Sequence, residues 1–168
     1  DERYFDYYDE PMMLRNADVT AEAALLMAGE KMAGCLGGAS LLVVGYGRIG
    51  KRLAAKARAL GCNVTVAARK ESDHALIRVC GHHAIGFEKL EEAVATADAV
   101  CNTVPAEVFS EKVMEKLPRE VPLIDLAGSI TGSRVIRAPG LPGKYAPETA
   151  GMILAESLKR ILKREGLL

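Results

Sequence analysis

The 168-residue sequence has no excess of either charge, its 22 Lys and Arg being matched by 22 Asp and Glu. That balance argues against a surface built for nucleic acid or another polyanion. It also lacks any run near the roughly 18 apolar residues of a membrane span, so no bilayer partner is expected. Cysteine is sparse, and Cys35, Cys62, Cys80 and Cys101 show no C-x-x-C spacing. With no secretory segment in view, these read as reduced thiols of a cytoplasmic protein. The sequence opens on Asp1 rather than Met, so any leader would be invisible in it. Of five Tyr and three Phe, four (Tyr4, Phe5, Tyr7 and Tyr8) crowd into the first eight positions. Those rings need cover, either from this domain or from a further one that they continue from. No metal is expected: Cys80, His82 and His83 lie close in sequence, but neighbouring strand residues face opposite ways, and a surface turn is the simpler reading.

What is present centres on one stretch. The apolar run Leu41–Val44 breaks into Gly45-Tyr46-Gly47-Arg48-Ile49-Gly50 and then becomes a helical pattern. A strand, G-x-G-x-x-G and a helix in that order form the dinucleotide fingerprint in its required context. Gly45 permits the tight turn, Gly47 lets the backbone approach a pyrophosphate, and Gly50 lets the helix pack close. Free N–H groups in the helix's first turn, aided by its dipole, suit the phosphates. The length fits one α/β domain: a Rossmann-like, doubly wound and mainly parallel sheet with flanking helices.

The rest of the chain follows that plan. A first helix is expected from Thr20, a competent N-cap, to near Gly34, making residues 1–19 a lead-in and 20–168 the domain. Strands are expected at Ser40–Val44, Asn63–Ala67, near Ala84-Ile85, at Ala99–Val104, ending at Ala127, and at Val135–Ala138. In the helix after the fingerprint, Ile49, Leu53, Ala57 and Leu60 face inward while Lys51, Arg52, Lys56 and Arg58 face water. Where an NAD site carries Asp or Glu, the second strand ends Ala67-Ala68-Arg69-Lys70. A guanidinium grips a 2′-phosphate that a carboxylate repels, so Arg69, with Lys70 and Ser72, points to NADP ahead of NAD; a solvated basic pair is the plainer alternative. Asn102 and Thr103 fall where a ligand's nicotinamide ribose is held, with Asp125 or Ser129 lining the same crevice; the plainer alternative is that Pro105 only stops the strand and Asp125 caps a turn. Only residues 128–134 separate the last two strands, too few for a helical crossover, so the sixth segment pairs antiparallel, leaves the sheet, or follows residues missing from the sequence. Residues 138–147 form a stiff Pro/Gly loop, either a connector or a wall that presents Lys144 to an acidic substrate. A last helix from Pro147 buries Ala150, Ile153, Leu154, Leu158 and Ile161.

The glycine loop, Asn102-Thr103-Val104-Pro105, Asp125-Leu126-Ala127 and above all Ala138-Pro-Gly-Leu-Pro-Gly-Lys-Tyr-Ala-Pro-Glu-Thr-Ala-Gly151 resemble the dipicolinate synthase family, in its A-type component. Asn16–Ala23 is similar to that family's entry helix, and the likeness covers most of residues 14–162. The resemblance implies NADP-linked oxidation of a dihydrodipicolinate-type ring during spore formation, with a second, flavoprotein-like subunit. It implies that Gly45, Gly47, Arg48, Ile49 and Gly50 hold the pyrophosphate, Arg69 the 2′-phosphate, and Asn102, Thr103, Val104 and Pro105 the ribose and nicotinamide. Thr20, Glu22, Lys144 and Thr149 would lie toward a small dicarboxylate substrate, with no catalytic acid or base assigned and a homo-oligomer left open. The family also carries an N-terminal domain, so this chain would be the cofactor half, binding without turnover alone. Two competing readings are the cofactor domain of another two-domain dehydrogenase of small acids and a non-catalytic nucleotide-sensing module.

Overall fold

The computed structural model describes residues 9–168. The aromatic cluster at Tyr4–Tyr8 lies outside the described residues. Short apolar strands alternate with helices, and every strand pairs parallel, in the order β3-β2-β1-β4-β5-β6. Strands β1 (Ser40–Val44) and β2 (Asn63–Ala67) have the bounds read from the sequence. They are followed by β3 (His83–Ile85), β4 (Ala99–Asn102), β5 (Leu123–Asp125) and β6 (Val135–Arg137). Sequence order reverses between β1 and β4, which opens a crevice at their carboxyl ends. Helices cover both faces, so central strands such as β1 and β4 are almost continuously buried. Among the described residues no helix is long and apolar enough to cross a membrane.

Helix α1 (Glu10–Lys31) starts ten residues before the expected Thr20, with Pro11 in its first turn. Thr20 is no cap: its hydroxyl donates to the Asn16 carbonyl at 2.7 Å, the back-bond of a mid-helix threonine. Residues 10–19 are therefore helix rather than lead-in. Helix α1 buries mostly alanines (Ala17, Ala21, Ala23, Ala24, Ala28), which lets it lie close to α2 (Arg48–Ala59). Arg52 and Lys56 of α2 do not simply face water. Arg52 pairs with Asp18 at 2.6 Å, and Lys56 reaches Asp18 at 3.3 Å and Glu22 at 3.1 Å.

Three further expectations are corrected. The segment after β5 neither turns antiparallel nor leaves the sheet: β6 pairs parallel with β5, Ile124 opposite Ile136. A helix is dispensable there because residues 126–134 satisfy much of their own backbone locally. The buried Asp125 carboxylate accepts N–H bonds from Ala127, Gly128 and Ile130 at 3.1, 3.1 and 2.8 Å, and the Ile130 side chain plugs the sheet face. In α7 (Pro147–Arg164), Ser157 is buried, while Leu154 and Leu158 are 56% and 55% exposed. Beside the start of α1, Arg160 binds Asp9 at 2.5 Å and Arg15 pairs with Glu156. Arg160, and then Ser157, hold the Asp9 carboxyl below its usual range. The Pro/Gly stretch is not an irregular loop but holds a short helix, α6 (Leu141–Tyr145), entered through left-handed Gly140 and anchored by buried Leu141.

The turn between α3 (Glu71–Val79) and β3 is only partly at the surface: His83 is exposed, but His82 is buried and its Nδ1 has no hydrogen-bond partner. Burial, and then the Arg58 guanidinium nearby, push the His82 pKa below 6.5. The unfolded chain thus takes up this proton more readily, so the stability due to a neutral His82 is complete above about pH 6.5 and lost as pH falls toward the lower folded value. Urea unfolding of His82→Gln is expected to show a smaller loss of stability between about pH 7.5 and about pH 5.5 than the wild type.

Candidate functional site

The crevice at the carboxyl ends of β1 and β4 is built around the glycine loop. Gly45 leaves β1 with φ +98°, and its N–H is bonded to the Ala67 carbonyl of β2 at 2.8 Å. A Cβ there would stand 2.5 Å from Thr103 Oγ1 and 2.8 Å from Val104 Cγ2. One at Gly50 would overlap the Gly45 carbonyl. Both glycines are required by the fold alone. Gly47 differs: its φ of −78° suits any residue and a Cβ would meet nothing within 4 Å. The space it leaves open is the N-terminus of α2, whose first-turn N–H groups and dipole suit an anion.

Tyr46, between the first two glycines, is folded inward and locks the turn to its surroundings. Its ring packs in the core under Lys51 Nζ, 5.5 Å from the ring centre. Desolvation, followed by the neighbouring Cys80 and Asp73, pushes its hydroxyl up to about 12. It therefore stays a neutral phenol at any physiological pH.

Opposite the loop stands α1. Met13, Asn16, Ala17 and Thr20 form one wall of a 330 Å³ cleft, and Gly47, Arg48, Ile49 and Thr103 form the other. Arg48 is clamped by Glu10 through two bonds, Nε to Oε1 at 2.8 Å and Nη2 to Oε2 at 2.6 Å. That contact holds the Glu10 carboxyl below its usual range. Arg48, the first residue of α2, thus lines the cleft with its guanidinium paired to Glu10.

The structure therefore gathers Gly47, Arg48, Ile49, Thr103 and Thr20 in one cleft. It does not gather the other candidates there. Glu22 pairs with Lys56 on the α1–α2 seam, and Thr149 borders a separate 470 Å³ hollow with Asp18, Arg52 and Ile153. Lys144 lies exposed on α6. Arg69 and Lys70 are exposed just past β2, while Val104 and Pro105 continue the chain beyond β4. Asn102 is 0% exposed and turned away from the cleft: its Nδ2 donates to Asp125 Oδ1 and Ser129 Oγ, both at 3.0 Å. Its Oδ1 accepts the Val104 N–H at 3.1 Å. Asp125, 1% exposed, likewise organises its loop instead of lining the crevice. Met13 and Asn16 are not among the expected site residues because both precede Thr20, the expected helix start. Helical spacing from Thr20 back to Asn16 and Met13 carried the signal.

Residues 13–130 match the family model described as D-isomer specific 2-hydroxyacid dehydrogenase, NAD binding domain. The A component of the dipicolinate synthase of Bacillus subtilis (strain 168) is 31% identical over 91% of this chain and 55% of its own length. The crystal structure of the corresponding dipicolinate synthase component from Bacillus halodurans superposes with a TM-score of 0.87 at 33% identity, over 92% of this chain and 57% of that one. The crystal structure of the Bacillus subtilis protein gives 0.88 at 30% identity, over 94% and 56%. The chain thus spans a little over half the length of these relatives.

The two classes of glycine separate experimentally. Gly50→Ala is expected to lose roughly 1–3 kcal/mol or more of unfolding free energy through overpacking, whereas Gly47→Ala stays within about 1 kcal/mol of wild type. Chemical denaturation of both variants checks this.

Proposed function

The chain belongs to the family of D-isomer-specific 2-hydroxyacid dehydrogenase NAD-binding domains, and from that membership we propose that it is the NADP-binding half of a dipicolinate-synthase-like oxidoreductase. The observation that carries the choice of NADP is the tip of β2. Arg69 and Lys70 stand there exposed, and the carboxylate that follows, Glu71, is turned back along α3 toward His74 at 3.4 Å and Arg78 at 3.5 Å. The tip therefore offers a 2′-phosphate two exposed cations where an NAD site carries a carboxylate.

In this reading the glycine loop and the first turn of α2 bind the pyrophosphate, with Gly47 leaving room for it and Arg48, paired to Glu10, lining the cleft beside it. Arg69, supported by Lys70, grips the 2′-phosphate. Thr103 forms the wall on the β4 side, and Val104 and Pro105 follow it toward the nicotinamide end. Asn16 and Thr20 on α1 present polar groups across the cleft, and Met13 excludes water from its floor. Lys144 and Thr149 remain candidates for the substrate side only in an arrangement with a further domain. When bound, the nicotinamide supplies a hydride acceptor for oxidation of a dihydrodipicolinate-type dicarboxylate. This chain alone binds the cofactor without turnover. A cytoplasmic setting and a second, flavoprotein-like partner belong to the same proposal.

Fluorescence titration is expected to give tighter binding of NADPH than of NADH. Arg69→Ala should weaken NADPH by about 10- to 100-fold, the range of a lost charged hydrogen bond, and leave NADH unchanged. Equal affinity of the wild type for both dinucleotides would overturn the NADP assignment.

A further inference from the structure

We infer that Thr103 is a positioning residue that acts on the diphosphate end of the cofactor through the glycine loop, and is not a hydrogen-bond donor to the nicotinamide ribose. The inference rests on the dinucleotide reading above. The Thr103 hydroxyl proton is committed: Oγ1 donates to the Val44 carbonyl at 2.9 Å, and the Thr103 N–H donates to the same oxygen at 2.8 Å. Val44 is the last residue of β1 and Gly45 is the first glycine of the loop. The hydroxyl therefore fastens the end of β4 to the point where the loop begins.

The same side chain fills the notch that two glycines leave. Thr103 Oγ1 is 2.5 Å from where a Gly45 Cβ would stand and 3.3 Å from the corresponding point at Gly50. One oxygen thus touches both ends of the G-x-G-x-x-G turn and fixes its height against the sheet. The N–H groups of the first turn of α2 hang from that turn. A diphosphate oxygen needs them within roughly 2.7–3.2 Å, so a shift of a few tenths of an ångström in the turn costs binding.

The wedge is itself held from behind. Ser129 Oγ donates to the Val104 carbonyl at 2.7 Å, and Asn102 accepts the Val104 N–H while donating to Asp125 and Ser129. The adjacent pair Asn102-Thr103 divides the work. Asn102 grips the crossover after β5, and Thr103 grips the turn after β1.

The test measures Thr103→Val, Thr103→Ala and Thr103→Ser in the intact protein against two ligands, NADPH and 2′-phospho-ADP-ribose, which lacks the nicotinamide. Val44 keeps its backbone bond in all three, and circular dichroism verifies folding. The Val and Ala variants are expected to weaken both ligands by the same factor, roughly 5- to 10-fold, with Ser restoring both. Weakening of NADPH with 2′-phospho-ADP-ribose unaffected would overturn the proposal in favour of a direct nicotinamide contact, and no weakening of either would also overturn it. A wild type that binds neither ligand would instead remove the dinucleotide reading, and this inference with it.

Discussion

A strand end, a turn and a helix are brought together so closely that no Cβ fits between Gly45 and Gly50, and the architecture of the crevice depends on that approach. It sets the distance from α2 to β1, and hence where the N-terminus of α2 points. Because β1 lies at the centre of the sheet, the turn inherits the rigidity of its neighbours: Ala67 holds the Gly45 N–H and Thr103 holds the Val44 carbonyl. A binding loop bonded to both flanking strands loses little entropy when a ligand arrives, which is the physical content of preorganisation.

Around this fixed centre, α1 is attached in a different way. Its contact with α2 joins alanine packing to ion pairs at Glu10–Arg48, Asp18–Arg52, Asp18–Lys56 and Glu22–Lys56. These pairs are partly exposed, and such pairs contribute little each. Their spacing along α2, at positions 48, 52 and 56, matters more, since it admits one register of α1. That register places Met13, Asn16 and Thr20 across from the glycine loop. The cleft is therefore assembled from one rigid wall and one wall held by alanine packing with ion pairs along its edge.

Much of this was legible in the sequence, for reasons that differ by element. The bounds of β1 and β2 were readable because each is an apolar strand closed by turn chemistry on both sides. The start of α1 was not: Thr20 looks like an N-cap, and only the fold shows its hydroxyl turned back to Asn16. In α7 the leucine spacing suggests a buried face, but the helix buries Ser157, pairs with Asp9 and Arg15, and leaves Leu154 and Leu158 outside. The parallel pairing of β6 was hidden because a helix is the usual way to satisfy a crossover, and here the single carboxylate of Asp125 does much of that work. In the site, Asn102 was located at the right strand end, yet sequence could not tell that its amide faces the interior.

The glycines of the loop are held by different physical constraints. Gly45 and Gly50 answer to the protein's own atoms, whereas Gly47 is crowded by nothing in the chain itself. A lineage that kept this fold but ceased to bind a dinucleotide would go on holding Gly45 and Gly50 and would be free to drift at Gly47. The middle glycine is thus a marker, readable in any descendant of this domain, of whether its crevice is still in use.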